Sequence, residues 1–102
     1  MIIEQPIVEE RGASTRVSYS IHRATATDTL WFEVPNHQAD FLLPAMEPAA
    51  AALLIVAMAA GEAIELAGPI SPRFHYGLLE ARNFFALWYP GLSRVAITPS
   101  GF

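Results

Sequence analysis

Three histidines, His22, His37 and His75, are the only imidazoles in a 102-residue chain that has no cysteine. Acid–base or metal chemistry would therefore have to combine one of them with carboxylates or hydroxyls. His37 and Asp40 have the i, i+3 spacing that puts two side chains on one helical face, with Glu47 close by in sequence, so this pair could move a proton or begin a metal site. The competing reading is a solvated cap and linker. Ser71, Arg73 and His75 form a second group: a hydroxyl, a guanidinium and an imidazole at the start of a helix, after a short strand. Ligands collect beyond the carboxyl ends of strands, and a helix N-terminus offers free N–H groups to an anion. There the competing reading is that Ser71 only caps, Arg73 is solvated and His75 lies on the helix flank. A small hydrolase or isomerase built on either group is one functional reading, and an anion-binding or small-molecule module at Ser71, Arg73 and His75 is another.

Tyr76, Phe84, Phe85, Trp88 and Tyr89 cluster around the end of that same helix. Base-stacking platforms come with a basic groove, and the six basic residues here are scattered in a chain of net charge −4. Core or interface packing explains the aromatics better. Trp31, Phe84, Trp88 and Tyr89 are the expected interface residues, and a nucleic-acid partner is excluded. The chain contains no glycine-rich phosphate loop, no Gly-x-Ser-x-Gly elbow and no His-Glu-x-x-His, and without cysteine there are no disulfides, thiolate sites or thiol nucleophiles. No cofactor is expected. The absence of a basic, then apolar, N-terminal stretch favours the cytoplasm.

The elements that would position these residues can be read from periodicity. Thr15 to His22 alternates Val17, Tyr19 and Ile21 with Arg16, Ser18 and Ser20, as a strand with one wet face does. Leu30-Trp31-Phe32-Glu33-Val34 has the aromatic and β-branched bias of a second strand, which makes 15–35 a hairpin. Residues 1–14 form an edge strand or arm, since Pro6 lacks a donor. Asn36 is placed to cap a short helix through Phe41-Leu42-Leu43 that Pro44 would end. From Pro48 to Ala60 run thirteen residues without a charge. A membrane span needs about 20 apolar residues, so this alanine-rich run reads as a fully buried helix, capped by Gly61, and no membrane partner is expected. Residues 62–98 then read as a βαβ unit: Glu62-Ala63-Ile64-Glu65-Leu66 as a strand, Ser71-Pro72 as a helix start, a helix to about Trp88 with Phe74, Leu78, Ala81, Phe85 and Trp88 inward, Pro90-Gly91 as the stop, and Arg94 to Ile97 as a parallel strand. Residues 99–102 are a tail.

Leu-Trp-Phe-Glu-Val-Pro (30 to 35), Ala-Asp-Phe-Leu (39 to 42), Leu-Leu-Ile-Val-Ala-Met-Ala-Ala-Gly-Glu-Ala-Ile (53 to 64), Gly-Pro-Ile-Ser-Pro (68 to 72) and Trp-Tyr-Pro-Gly-Leu-Ser-Arg-Val-Ala-Ile (88 to 97) add a family signal. Together they resemble the N-terminal region of bacterial PP-loop ATP pyrophosphatases of the adenine nucleotide alpha-hydrolase type, similar to 7-cyano-7-deazaguanine synthases. The resemblance implies an enzyme that uses ATP to adenylate a carboxylate or amide-type substrate through a Ser-Gly-Gly-x-Asp-Ser loop. That loop is missing here, so no catalytic residue carries over. The resemblance leaves three readings: a fragment, a stand-alone version with a separate catalytic partner, or a domain that keeps only a binding role.

The expected fold is one α+β domain, with a β-hairpin, a buried alanine-rich helix and a βαβ unit forming a small mixed sheet of about four strands and helices on one face. With 53% hydrophobic and only 16% charged residues, an apolar patch should be left over, and such patches mark interfaces. The expected function is a non-catalytic accessory or assembly domain, forming a homo-oligomer or docking a catalytic partner of the PP-loop type.

Overall fold

A computed structural model of the chain describes residues 1–41 and 44–102. In order, the elements are β1 (Ile2–Ile3), β2 (Ile7–Arg11), β3 (Ser14–His22), β4 (Thr27–Pro35), a 3-10 helix (Asn36–Phe41), α1 (Glu47–Ala60), β5 (Ile64–Leu66), α2 (Pro72–Trp88) and β6 (Ile97–Thr98). The six strands form one mixed sheet with the helices on one face, a small α+β fold.

β3 is the long strand on which the rest of the sheet is laid. Thr15, Val17, Tyr19 and Ile21 are buried, while the residues between them are only partly covered, so the alternation in sequence is the alternation of faces. β4 pairs antiparallel with β3 along its whole length, from Ser14 opposite Pro35 to His22 opposite Thr27. The N-terminal segment takes the other edge of β3. There Ile3 lies opposite Ile21 and Ile7 opposite Ser18, so the three residues Glu4 to Pro6 face the two residues Tyr19 and Ser20. This is a bulge, and it falls where Pro6 has no N–H to give the ladder. The expectation of an edge strand or arm therefore holds only for β2. β1 is interior, held between β3 and a parallel β5, and Ile3 is completely buried.

The βαβ unit is present. β5 and β6 pair in parallel, with Ile64 opposite Ile97 and Glu65 opposite Thr98, and α2 connects them. Both strands are shorter than their apolar patterns suggest. Glu62 is consumed by the end of α1, where its N–H closes on the Ala57 carbonyl at 2.9 Å and its carboxylate meets Arg23 at 2.9 Å. At the other strand, Arg82 takes the Val95 carbonyl at 3.0 Å. With β1 and β2 added, the sheet has six strands where about four were expected.

Ser71 caps α2, accepting a hydrogen bond from the Phe74 N–H at 3.1 Å, with Pro72 at the first helical position. Phe74, Ala81 and Phe85 pack against the core and Leu78 is buried within it. Trp88 does not join them, and 67% of its surface is exposed. It lies in the last turn, where the chain leaves the sheet before Pro90. α1 ends in a Schellman motif: Gly61 is left-handed at φ 69°, and its N–H and that of Glu62 turn back onto Met58 and Ala57. Gly68 is needed for another reason, since a Cβ there would lie 2.8 Å from Met46 Cγ.

α1 is not fully buried. Ala49, Ala50, Leu53, Leu54, Ala57 and Met58 are covered, but Ala51, Ala52, Ile55, Val56, Ala59 and Ala60 face outward. A layer of helices on one side of one sheet can cover only the inner stripe of each helix, however apolar the outer stripe is. Asn36 begins a 3-10 helix, and its side chain is committed elsewhere: it accepts from Thr15 Oγ1 at 2.7 Å and donates to the Gly12 carbonyl at 2.9 Å. The expected continuation of that helix through Leu42 and Leu43 lies outside the described residues.

Candidate functional site

His37 and Asp40 both lie on the 3-10 helix and both are exposed. Glu47 does not join them, because its carboxylate accepts a hydrogen bond from the backbone N–H of Ser71 at 3.3 Å. No group of three His, Asp or Glu side chains placed to hold a metal occurs among the described residues.

The Ser71, Arg73 and His75 group is divided among separate tasks. The Ser71 hydroxyl is engaged by its own cap. His75 turns to the sheet, with Nε2 3.2 Å from the Ile97 carbonyl and its ring 5.4 Å from that of Phe102. Arg73 is exposed. The Glu47 carboxylate already supplies negative charge to the N-terminus of α2, the place an external anion would take. None of the three cavities described below is lined by these residues or by His37 and Asp40.

One of those cavities, of about 330 Å³, is lined by Met1, Ile2, Ala24, Glu62, Ala63 and Glu65. The Arg23 guanidinium neutralises Glu62 there. A second, of about 200 Å³, lies between Pro6 and Met46 at Gly68 and has no charged lining. Neither brings a nucleophile and a base together. The third, a shallow depression of about 180 Å³, is lined by Glu80, Asn83, Phe84 and Leu87 on α2.

Exposed apolar side chains surround that depression. Phe84 and Trp88 meet edge to face at 5.9 Å, Tyr89 follows, and Leu87 is 77% exposed. On the neighbouring helix, Ile55 and Val56 are exposed among alanines. Of the expected interface residues, Phe84, Trp88 and Tyr89 are brought together here. Trp31 is not, because it stands on the bare face of the sheet with the Arg16 guanidinium 4.2 Å above its ring. Ile55, Val56 and Leu87 were missing from the sequence reading. The signal for α1 was available in principle, since a helix apolar all round must leave apolar side chains outside when only one layer lies beneath it.

Two titratable side chains, one buried and one partly covered, have shifted pKa values. The Tyr19 hydroxyl donates to the Ala45 carbonyl, and burial, followed by the nearby Glu47 carboxylate, raises its pKa above the ordinary tyrosine value. Desolvation, then the neighbouring Arg94 charge, lowers that of Arg82. Tyr19 ties β3 to the segment before α1 and Arg82 ties α2 to the segment before β6, and neither lines the three cavities above.

No protein-family model, no curated protein and no solved structure matches the chain.

Proposed function

We propose that this chain is a non-catalytic assembly domain that docks a partner polypeptide on the outer surface of its helical layer. The observation that carries this reading is that both helices expose apolar side chains: Ile55 and Val56 on α1, and Phe84, Leu87, Trp88 and Tyr89 at the end of α2, where Phe84 and Trp88 are in contact. Isolated apolar residues are ordinary on a protein surface, but grouped ones favour an interface because covering them recovers about 25 cal/mol for each Å² removed from water. The division of the polar candidates among caps and backbone contacts favours binding over catalysis.

The resemblance to the N-terminal region of PP-loop ATP pyrophosphatases supplies the class of partner: a catalytic, ATP-using protein of that type. A second copy of the chain docked on the same face is the alternative occupant of the same chemistry. Co-sedimentation with a PP-loop pyrophosphatase tests the reading, comparing wild type with a Val56→Asp/Leu87→Asp double variant. A complex that the double variant fails to form supports it. No complex with the enzyme and no association through this face would remove it.

A further inference from the structure

Among the described residues the sheet has three free edges, and they are protected to different degrees. β6 has only two residues. β2 has five, three of them charged, and Pro6 lies just before it. Paired with itself about its centre, β2 would set Glu9 against Glu9 of a second copy, and like charges directly opposite repel. Short length, charge and proline are the usual protections of an edge. β4 has few of them. It is nine residues long, borders only β3 among the described residues, contains no lysine or arginine, and meets proline only at its last position.

The hydrogen-bond pattern shows which groups of β4 are unused. The ladder with β3 holds one register from Ser14 to His22. Beyond its two ends, the Asn36 N–H donates to the Ala13 carbonyl and the Arg23 N–H to the Ala26 carbonyl. Antiparallel pairs alternate between bonded and non-bonded, so even-numbered residues of β4 face β3. The N–H groups of Thr27, Thr29, Trp31 and Glu33 point out from the free edge, with the carbonyls of those residues and of Pro35.

We propose that β4 pairs antiparallel with β4 of a second copy, about a two-fold axis at Trp31. This goes beyond the docking surface proposed above and uses a different part of the molecule. In this register Trp31 lies opposite Trp31, Thr29 opposite Glu33 and Thr27 opposite Pro35, so every outward N–H meets an outward carbonyl. The proline falls at the end of the ladder, where its missing donor costs least. The acidic residues face neutral ones: Glu33 opposes Thr29 and Asp28 opposes Val34. The half-exposed Trp31 gains an aromatic neighbour on the bare face. A pairing that is its own mirror under a two-fold axis closes at two copies.

Sedimentation velocity together with amide exchange across a concentration series tests this. The wild-type chain should sediment as a dimer, with exchange at Thr29, Trp31 and Glu33 slowing as concentration rises. Trp31→Lys, which sets two ammonium groups together on the axis, should halve the sedimenting mass while circular dichroism stays unchanged. Thr29→Lys should keep the dimer, because its ammonium faces Glu33 of the other copy. A wild-type monomer at all concentrations would overturn the proposal. So would a dimer that survives Trp31→Lys, or one in which those three amides exchange as fast as on dilution. Loss of association in the Val56→Asp/Leu87→Asp variant with Trp31→Lys still dimeric would move self-association to the helical face.

Discussion

The bare face of the sheet and the outer surface of the helices are both open, yet they are built from different materials. On the sheet, Arg16 pairs with Glu33 at 3.1 Å and lies over Trp31, His22 is 3.4 Å from Glu4, and Ser18, Ser20 and Thr29 stand beside them, with Ile2 and Ile7 as further exposed apolar residues of that face. The helical surface is more apolar: alanines, Ile55 and Val56 line the outer stripe of α1, and Phe84, Leu87 and Trp88 stand on the end of α2 beside Glu80 and Asn83. Exposure alone therefore does not mark a functional surface in this molecule. The two surfaces differ in chemistry, one holding ion pairs and hydroxyls around a few apolar residues, the other a long apolar stripe on α1 and an aromatic end on α2.

The contrast can be tested first within α1, where adjacent residues share a helix but face opposite ways. Leu54→Ala, on the inner stripe, should cost about 2–5 kcal/mol in urea unfolding because a cavity is left behind. Val56→Ala, two positions along, should change monomer stability by less than about 0.5 kcal/mol. Equal costs would show that the outer stripe is already covered within the domain.

Tyrosines offer a second comparison. Tyr19→Phe leaves the Ala45 carbonyl without its donor and should cost about 1–3 kcal/mol, whereas Tyr76→Phe, on the exposed side of α2, should cost almost nothing. The pH dependence has a definite sign. The folded Tyr19 hydroxyl holds its proton more tightly than the unfolded one, so its contribution is complete below the ordinary tyrosine pKa of about 10 and is lost as pH climbs through the raised value. Wild type should lose more stability than Tyr19→Phe across that window. Parallel pH profiles for the two would remove this account of Tyr19.

The smallest stability effect is expected at Leu87, where replacement by Ser should leave the melting temperature nearly unchanged and yet weaken partner binding. A marked loss of stability there would mean that Leu87 supports the fold and is not held for a partner.

Much of this architecture was legible in the residues. The alternation around Val17 and Tyr19 specified β3, Ser71-Pro72 and Pro90-Gly91 bounded α2, and the helix between short apolar segments specified the parallel pairing of Ile64 with Ile97. These features are local, and local patterns carry them. The place of β1 was hidden because two residues have no measurable period and Pro6 suggests an edge. The exposure of Ile55 and Val56 was hidden because a helix that is apolar all round does not say which stripe faces in. Of the candidate site, the aromatic group at Phe84, Trp88 and Tyr89 was visible by composition. The separation of Trp31 from it, and of Glu47 from His37, depends on contacts distant in sequence.

The central claim is that the partner enzyme docks on the outer helical surface, and methyl NMR reports on that surface and on the sheet side at once. With a PP-loop pyrophosphatase added to the labelled chain, the methyl signals of Ile55, Val56 and Leu87 should shift and broaden while that of Ile7, exposed on the sheet side, stays sharp. Helical methyls that remain unmoved when the enzyme is added would contradict the claim.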